Sequence, residues 1–338
     1  MRAMLLNKIV SLDVTGKLLE LADLPIPEPQ PSEVQIRIAT CGVCHTELDE
    51  IEGRTPPPNL PVVPGHQIVG RVAKLGSGAT KWCEGDRVGV GWIYSSSGAA
   101  DENLSPAFRA TGRDANGGYA EYVTVPENYS YSIPDCYSDV EAAPLLCAGA
   151  VGYRALKLTN LRNGQSLGLT GFGGSAHLVL QLVRHQFPNS PVFVFARDPT
   201  QQEFALKLGA TWAGDTLDRA PQLLDAIIDT TPAWKPVVAA LANLRPGGRL
   251  VINAIRKEER DKDALLGLSY HEHLWLEREI KSVANVTHFD LVEFLPLAAA
   301  ANIRPEVTTY PLEEANRALV ELKRGSVRGA KVLQISVR

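Results

Sequence analysis

A chain of 338 residues, 45% apolar and 21% charged, holds enough material for two domains of ordinary size with substantial cores. A formal net charge of -4 and the lack of any apolar run of membrane-spanning length argue against a nucleic-acid surface or a membrane patch. The opening MRAMLLNKIVSLD turns polar too early for an export signal, and five scattered cysteines (Cys41, Cys44, Cys83, Cys136, Cys147) make no dense disulfide framework, so a reducing cytoplasm is the expected setting.

Residues 1–147 read as short strands punctuated by glycine and proline. EVQIRIATCG (33–42) alternates before a glycine, and PGHQIVGRVAKLGSG (64–78) ends a strand-like run in a glycine turn. GDRVGVGWIY (85–94) and GGYAEYVTVPENY (117–129) supply further strands, and this spacing predicts a barrel-like β domain. Between them SSSGAADENLSPAFRATGRDAN (95–116) is polar and aperiodic, a surface loop unless something pins it. Over 148–290 helices alternate with apolar strands, which predicts an α/β domain whose parallel sheet is covered on both faces. The last stretch, 291–338, holds an amphipathic helix in LEEANRALVELKRGSV (312–327) and a closing strand in GAKVLQIS (329–336), a segment that could return to the first domain.

GFGGSA places Gly171, Gly173, Gly174 and Ala176 in a G-x-G-x-x-A turn between an apolar strand and a helix. The first glycine permits the tight turn, the second lets the backbone approach a pyrophosphate, and the small third residue lets helix pack on strand. Phosphate would sit at the positive helix terminus. In the following strand, VFVFARDPT, an acidic residue would ordinarily hold a ribose 2′-hydroxyl; counting back from Leu208–Gly209–Ala210 puts Ala196 there, followed by Arg197. A missing carboxylate beside a guanidinium favours the 2′-phosphate of NADP(H). NAD(H) stays possible if Arg197 is only solvated surface and Asp198 takes the ribose.

Cys44, His66 and Cys147 offer two thiolates and an imidazole. This donor set suits zinc and leaves a fourth position open, as a catalytic site requires. Each alone could be a buried thiol or a hydrogen-bonded core histidine. Their contexts are CGVCHTE, PGHQIVG and APLLCAGAVGYRAL. With GDRVGVGW, NGGYAEY, the glycine turn and the terminal RGAKVLQIS, these blocks run in order through the chain. So ordered, they resemble a zinc-dependent alcohol dehydrogenase of the medium-chain dehydrogenase/reductase superfamily.

The resemblance implies a two-domain fold: a GroES-like β-rich catalytic domain (1–147, completed by 291–338) around an α/β Rossmann domain (148–290) with a parallel sheet. It implies one catalytic zinc per chain on Cys44, His66 and Cys147, with Cys41 not a ligand. It also implies Thr46 as a proton-passing hydroxyl, His45 near the coenzyme pyrophosphate, Arg328 near coenzyme phosphate, and a homodimer or homotetramer formed largely through the nucleotide domains. Trp92 falls where residues shape the substrate pocket, although a strand-end aromatic is as often core. The expected substrate is a small-molecule alcohol, aldehyde or ketone. A zinc-free enoyl or quinone reductase and a non-enzymatic nucleotide-binding protein are the alternatives.

Four departures from the family pattern stand out. Gln67 replaces the glutamate after the histidine ligand. Glu47 replaces an aspartate, so a carboxylate orienting His66 would reach on a longer stem. Asp49 stands where many relatives end the relay with histidine. The loop near residue 100 has no cysteines: Ser97, Ala100 and Ser105 match three ligand positions, so no structural zinc is expected there. His271 and His273 look ligand-like by spacing but fit a surface or subunit role better. Cys83 and Cys136 read as buried thiols.

Overall fold

The computed structural model describes residues 1–12, 18–325 and 329–335. The chain folds as two units: Met1–Cys147 with Asn285–Ala299 and the chain from Arg304 onward, and Ala148–Ala284 with Ala300–Ile303. The return to the first unit begins at Asn285, ahead of residue 291. No helix among the described residues is long and apolar enough to cross a membrane.

The first unit is built on a mixed seven-stranded sheet. Its order is Val307–Pro311, Ala330–Gln334, Glu33–Val43, Gln67–Leu75, Arg87–Val90 and Ser130–Ser132, with Tyr122–Pro126 also pairing with Glu33–Val43. The closing strand 330–334 pairs antiparallel with the stretch that ends just before Cys44, so the C-terminal segment does join this sheet. Glu33–Val43 is central and buried along most of its length rather than alternating. Polar Gln35 on it survives burial by donating to Pro27 O at 2.6 Å. Ile36, Ile38, Ile68, Val88, Val125 and Leu319 contribute to the core.

The second unit is a parallel sheet in the order Trp212–Gly214, Val192–Phe195, Leu167–Thr170, Leu224–Asp229, Leu244–Ile252, Glu279–Ser282. The chain starts in the middle, works outward on one side, then crosses back to the other. This is the doubly wound 3-2-1-4-5-6 arrangement, with its switch point beside Leu167–Thr170. Unbroken apolar strands such as VFVF are buried throughout, as a sheet covered on both faces demands.

The polar stretch 95–116 is pinned by a buried glutamate. Glu102, 0% exposed, accepts from the Gly98 amide at 3.1 Å, the Tyr129 hydroxyl at 2.8 Å and the His288 amide at 2.5 Å. Its carbonyl takes the Ser96 hydroxyl at 2.7 Å. One side chain thus joins the loop, the turn Glu127–Tyr129 that leads into the strand Ser130–Ser132, and the first turn of the helix His288–Ala300. Cys83 and Cys136 correct the expectation of buried thiols: both are exposed. Each sits in a turn, Cys83 with its amide on Asp86 Oδ2 and Cys136 within the bond from Tyr137 N to Pro134 O, and turns hold backbone at the surface.

Because hydrogen bonds to a buried charged acceptor are worth more than neutral ones, Glu102→Ala should cost about 3 kcal/mol, and Glu102→Gln less. Urea unfolding of the two variants beside the parent protein measures this.

Candidate metal and coenzyme sites

Cys44 stands between the central strand Glu33–Val43 and the short helix His45–Ile51. Its sulfur caps that helix, accepting from Thr46 N at 3.4 Å, while Glu47 Oε2 accepts from Cys44 N at 2.8 Å to complete a reciprocal capping box. The other Glu47 oxygen lies 2.6 Å from His66 Nδ1. The carboxylate expected to reach His66 from a longer stem does so. With the carboxylate beside Nδ1, though not aligned with it as a hydrogen bond, Nε2 faces the Cys44 sulfur, 3.7 Å away, and could serve as a ligand.

His66 is held by backbone packing that only glycine allows. Gly117 N donates to Val63 O at 2.7 Å, Gly118 N to Gly65 O at 2.8 Å and Tyr119 N to Pro64 O at 2.9 Å. A Cβ on Gly117 would lie 2.0 Å from Gly65 O, and one on Gly112 would lie 2.8 Å from Gly65 N. This is why NGGY and PGH occur together: the two loops touch main chain to main chain. Asn116 Oδ1 adds an acceptor for Val63 N at 3.0 Å.

Cys147 comes from a π-turn, Leu145–Gly149, that follows the capped helix Asp139–Pro144. Such turns re-aim side chains and are frequent at functional sites. The ligand atoms of Cys44, His66 and Cys147 all lie within 4.8 Å of one another, the one such cluster found among the described residues. Hydrogen bonding to Cys147, then burial and the Glu47 charge, push the Cys44 thiol well up. Burial opposes protonation of His66, but the Glu47 carboxylate and the Cys44 sulfur outweigh it and push the ring's proton affinity well up. Left to themselves these groups hold protons that a divalent cation would displace, so donor type, spacing and second contact all fit a three-ligand metal site.

Around the cluster, Trp92 lies 6.0 Å from the His66 ring, and Phe108 meets Trp92 edge-on at 5.5 Å. Thr46 is buried in the first turn after Cys44, whereas His45 is exposed. Asp49 is ion-paired to Arg54 at 2.5 Å. Gln67 is buried against Gly42. Cys41 is buried and outside the cluster, His271 is exposed and His273 buried, and Arg328 lies outside the described residues.

Phe108 and Glu50 were not found by sequence reasoning. Glu50 is 1% exposed, and burial followed by the Glu47 charge pushes its carboxyl well up. Trp92 Nε1 is near enough to oppose that shift, yet the two do not align as a hydrogen bond. The i, i+3 spacing of Glu47 and Glu50 on a helix was the available signal.

The glycine turn lies at the switch point of the parallel sheet, between the strand Leu167–Thr170 and the helix Ala176–Gln186. Gly171 has φ +78°, and Gly171 N bonds Phe195 O at 2.8 Å. A Cβ on Gly173 would meet nothing within 4 Å. The protein's own packing therefore does not explain that glycine, whereas close approach by a ligand does. The helix has no side-chain cap; Ser175 Oγ instead donates to Ala148 O at 2.8 Å and accepts from Asn253 Nδ2 at 3.1 Å. The space left open at Gly173 lies just before the N-terminus of this helix, the end whose dipole favours an anionic group. Gly174 lies within the turn, and Ala176 is fully buried. Past the next strand, Ala196 is buried and Arg197 exposed, while Asp198 caps the helix Pro199–Lys207 by accepting from Thr200 N at 2.9 Å.

Residues 30–135 match the family model described as the alcohol dehydrogenase GroES-like domain. The Probable alcohol dehydrogenase AdhA of Mycobacterium tuberculosis (strain CDC 1551 / Oshkosh) is 42% identical over 328 residues, covering 94% of this chain and 93% of that protein. Two solved structures share the fold at 23% identity. One, of an NAD-dependent alcohol dehydrogenase, has a TM-score of 0.87 and covers 99% of this chain and 100% of its own. The other, CAD from Helicobacter pylori complexed with NADP(H), has a TM-score of 0.83 and covers 99% of each.

Loss of the carboxylate behind a ligating histidine generally costs about 10–100-fold in metal affinity, and Glu47→Gln should weaken zinc binding by that much. Competition with a chromogenic chelator reads it. Both proteins should bind zinc less well as pH falls, because protons compete for Cys44 and His66.

Proposed function

Since the chain belongs to the zinc-dependent alcohol dehydrogenase family of the medium-chain dehydrogenase/reductase superfamily, we propose that it moves hydride between a primary or secondary alcohol (aldehyde or ketone) and NADP(H). The alcohol- and aldehyde-type oxidoreductase class follows from the family. The metal, the coenzyme preference and the residue roles are our reading. One observation carries it, the convergence of Cys44, His66 and Cys147 with Glu47 behind the ring.

Zinc held by these three residues supplies Lewis acidity toward an alcohol or carbonyl oxygen, and the nicotinamide coenzyme supplies or accepts the hydride. Glu47 keeps Nε2 of His66 available and the ring oriented. Thr46, fixed in the same turn as Cys44, passes the proton to or from the substrate oxygen. Asp49 is not assigned a share in that relay: its carboxylate is committed to Arg54. Trp92, with Phe108 against it, gives the substrate an apolar aromatic wall.

For the coenzyme, Gly171, Gly173, Gly174 and Ala176 form the turn that receives the pyrophosphate, Ala176 by letting the helix pack close on the strand, and His45 and Arg328 keep their proposed roles near its phosphates. Of the two solved structures that share this fold, one is of an NAD-dependent enzyme and the other is complexed with NADP(H), so preference must come from this chain's own residues. Asp198, the rival ribose ligand, is engaged as a helix cap, which supports Arg197 as a partner of a 2′-phosphate. A homodimer or homotetramer is supported by the strand Glu279–Ser282, an edge of the parallel sheet with all four residues exposed. The five free thiols suit a reducing cytoplasm.

The test is oxidation of NADPH and NADH by the zinc-loaded protein over aldehydes, ketones, enones and quinones. Aldehyde or ketone turnover that prefers NADPH and stops on verified metal removal is expected. Activity confined to enones or quinones, or indifferent to the metal, would overturn the reading. Arg197→Ala should raise KM for NADPH about 10–100-fold, the worth of a charge-assisted contact, and leave KM for NADH nearly unchanged.

A further inference from the structure

The strands Leu224–Asp229 and Leu244–Ile252 are parallel neighbours, so both end at the edge of the sheet where the glycine turn lies. Asp229 closes the first and is fully buried; Lys257 follows the second, its side chain 9% exposed. The Lys257 ammonium contacts the Asp229 carboxylate and donates to Thr231 O at 2.7 Å and Ala233 O at 3.1 Å. Each of its three protons thus has an acceptor. The other Asp229 oxygen takes the Thr231 hydroxyl at 2.8 Å, and Glu258 N donates to Pro232 O at 2.6 Å. Residues 230–233 are stitched to 257–258 by side chain and main chain together.

The stitched loop is also the wall of the glycine turn. Thr230 donates to Thr170 O twice, from N at 2.9 Å and from Oγ1 at 3.0 Å. A Cβ on Gly171 would lie 2.9 Å from Thr230 Oγ1 and 3.1 Å from Thr231 Cγ2. The first glycine of the turn therefore has its position set by Thr230 and Thr231, and those two have theirs set by Lys257 and Asp229.

We propose that Lys257 and Asp229 are a positioning pair for the dinucleotide. They hold residues 230–233 so that the glycine turn keeps the shape that admits a pyrophosphate. The inference rests on the dinucleotide-binding part of the proposed function. It depends neither on the metal nor on which coenzyme is preferred.

The experiment titrates the full chain, its Lys257→Met variant and the Asp229→Asn/Lys257→Met double variant with NADPH and NADH by fluorescence, and records each thermal midpoint. A probe without the pyrophosphate is run beside them: adenosine 2′-monophosphate, or adenosine if NADH is the coenzyme bound. Lys257→Met should weaken the dinucleotide about tenfold and the short probe by less than about twofold, the double variant recovering part of the loss. Should the single variant fail to fold, the neutral double variant must still show a selective loss of the dinucleotide. Folded variants whose dinucleotide affinity is unchanged, or which lose both probes in equal proportion, overturn the inference. Parent protein that binds neither NADPH nor NADH overturns the proposed function, and the inference with it.

Discussion

Glu47 uses its two oxygens on two different elements: one takes the amide of Cys44 at 2.8 Å, the other meets the ring of His66 at 2.6 Å. The side chain is fully buried, where an isolated carboxylate is costly, and it is offset by the Cys44 amide on one oxygen and the nearby imidazole on the other. The turn that presents the Cys44 sulfur and the loop that presents the imidazole are therefore oriented by the same group. The main-chain contact of Gly65 with Gly112 and Gly117 supplies the depth at which this happens, since any side chain there would push the His66 loop away.

The second unit organises its site in the same manner with different materials. Its apolar core, including Phe193, Phe195, Ile227 and Leu250, sets the sheet. The edge where ligands bind in this topology is shaped by buried polar groups instead. Ser175, Asn253, Asp229 and Lys257 form a chain of directed bonds around the glycine turn. Hydrogen bonds fix angles where apolar contact fixes only proximity, so each unit keeps polar groups where geometry must be exact to a few tenths of an ångström.

What was legible in the sequence was local chemistry. The glycine turn could be read because strand, turn and helix are adjacent in the chain, and the fold places them so. Cys44, His66 and Cys147 could be read because each sits in its own short pattern, although only the fold brings them within 4.8 Å. Glu102 could not be read: it is one acid in a polar loop, and its shortest bond reaches a residue 186 positions away. Lys257 is a similar case at a separation of 28, since nothing near it in the chain marks a buried cation. Cys83 and Cys136 are exposed although thiols are usually buried, because that general tendency says nothing about a particular surface turn.

The carboxylate that fastens the loop around residue 98 has a bearing on chemical durability. No cysteine lies between Cys83 and Cys136, so this part of the chain offers peroxide no sulfur to attack and no thiolate cage to strip. Its fastening, made of one glutamate, a phenol and two amides, is complete as soon as the chain has folded. The loop can therefore order itself from its own side chains and amides, and its order is independent of whatever occupies the cluster of Cys44, His66 and Cys147.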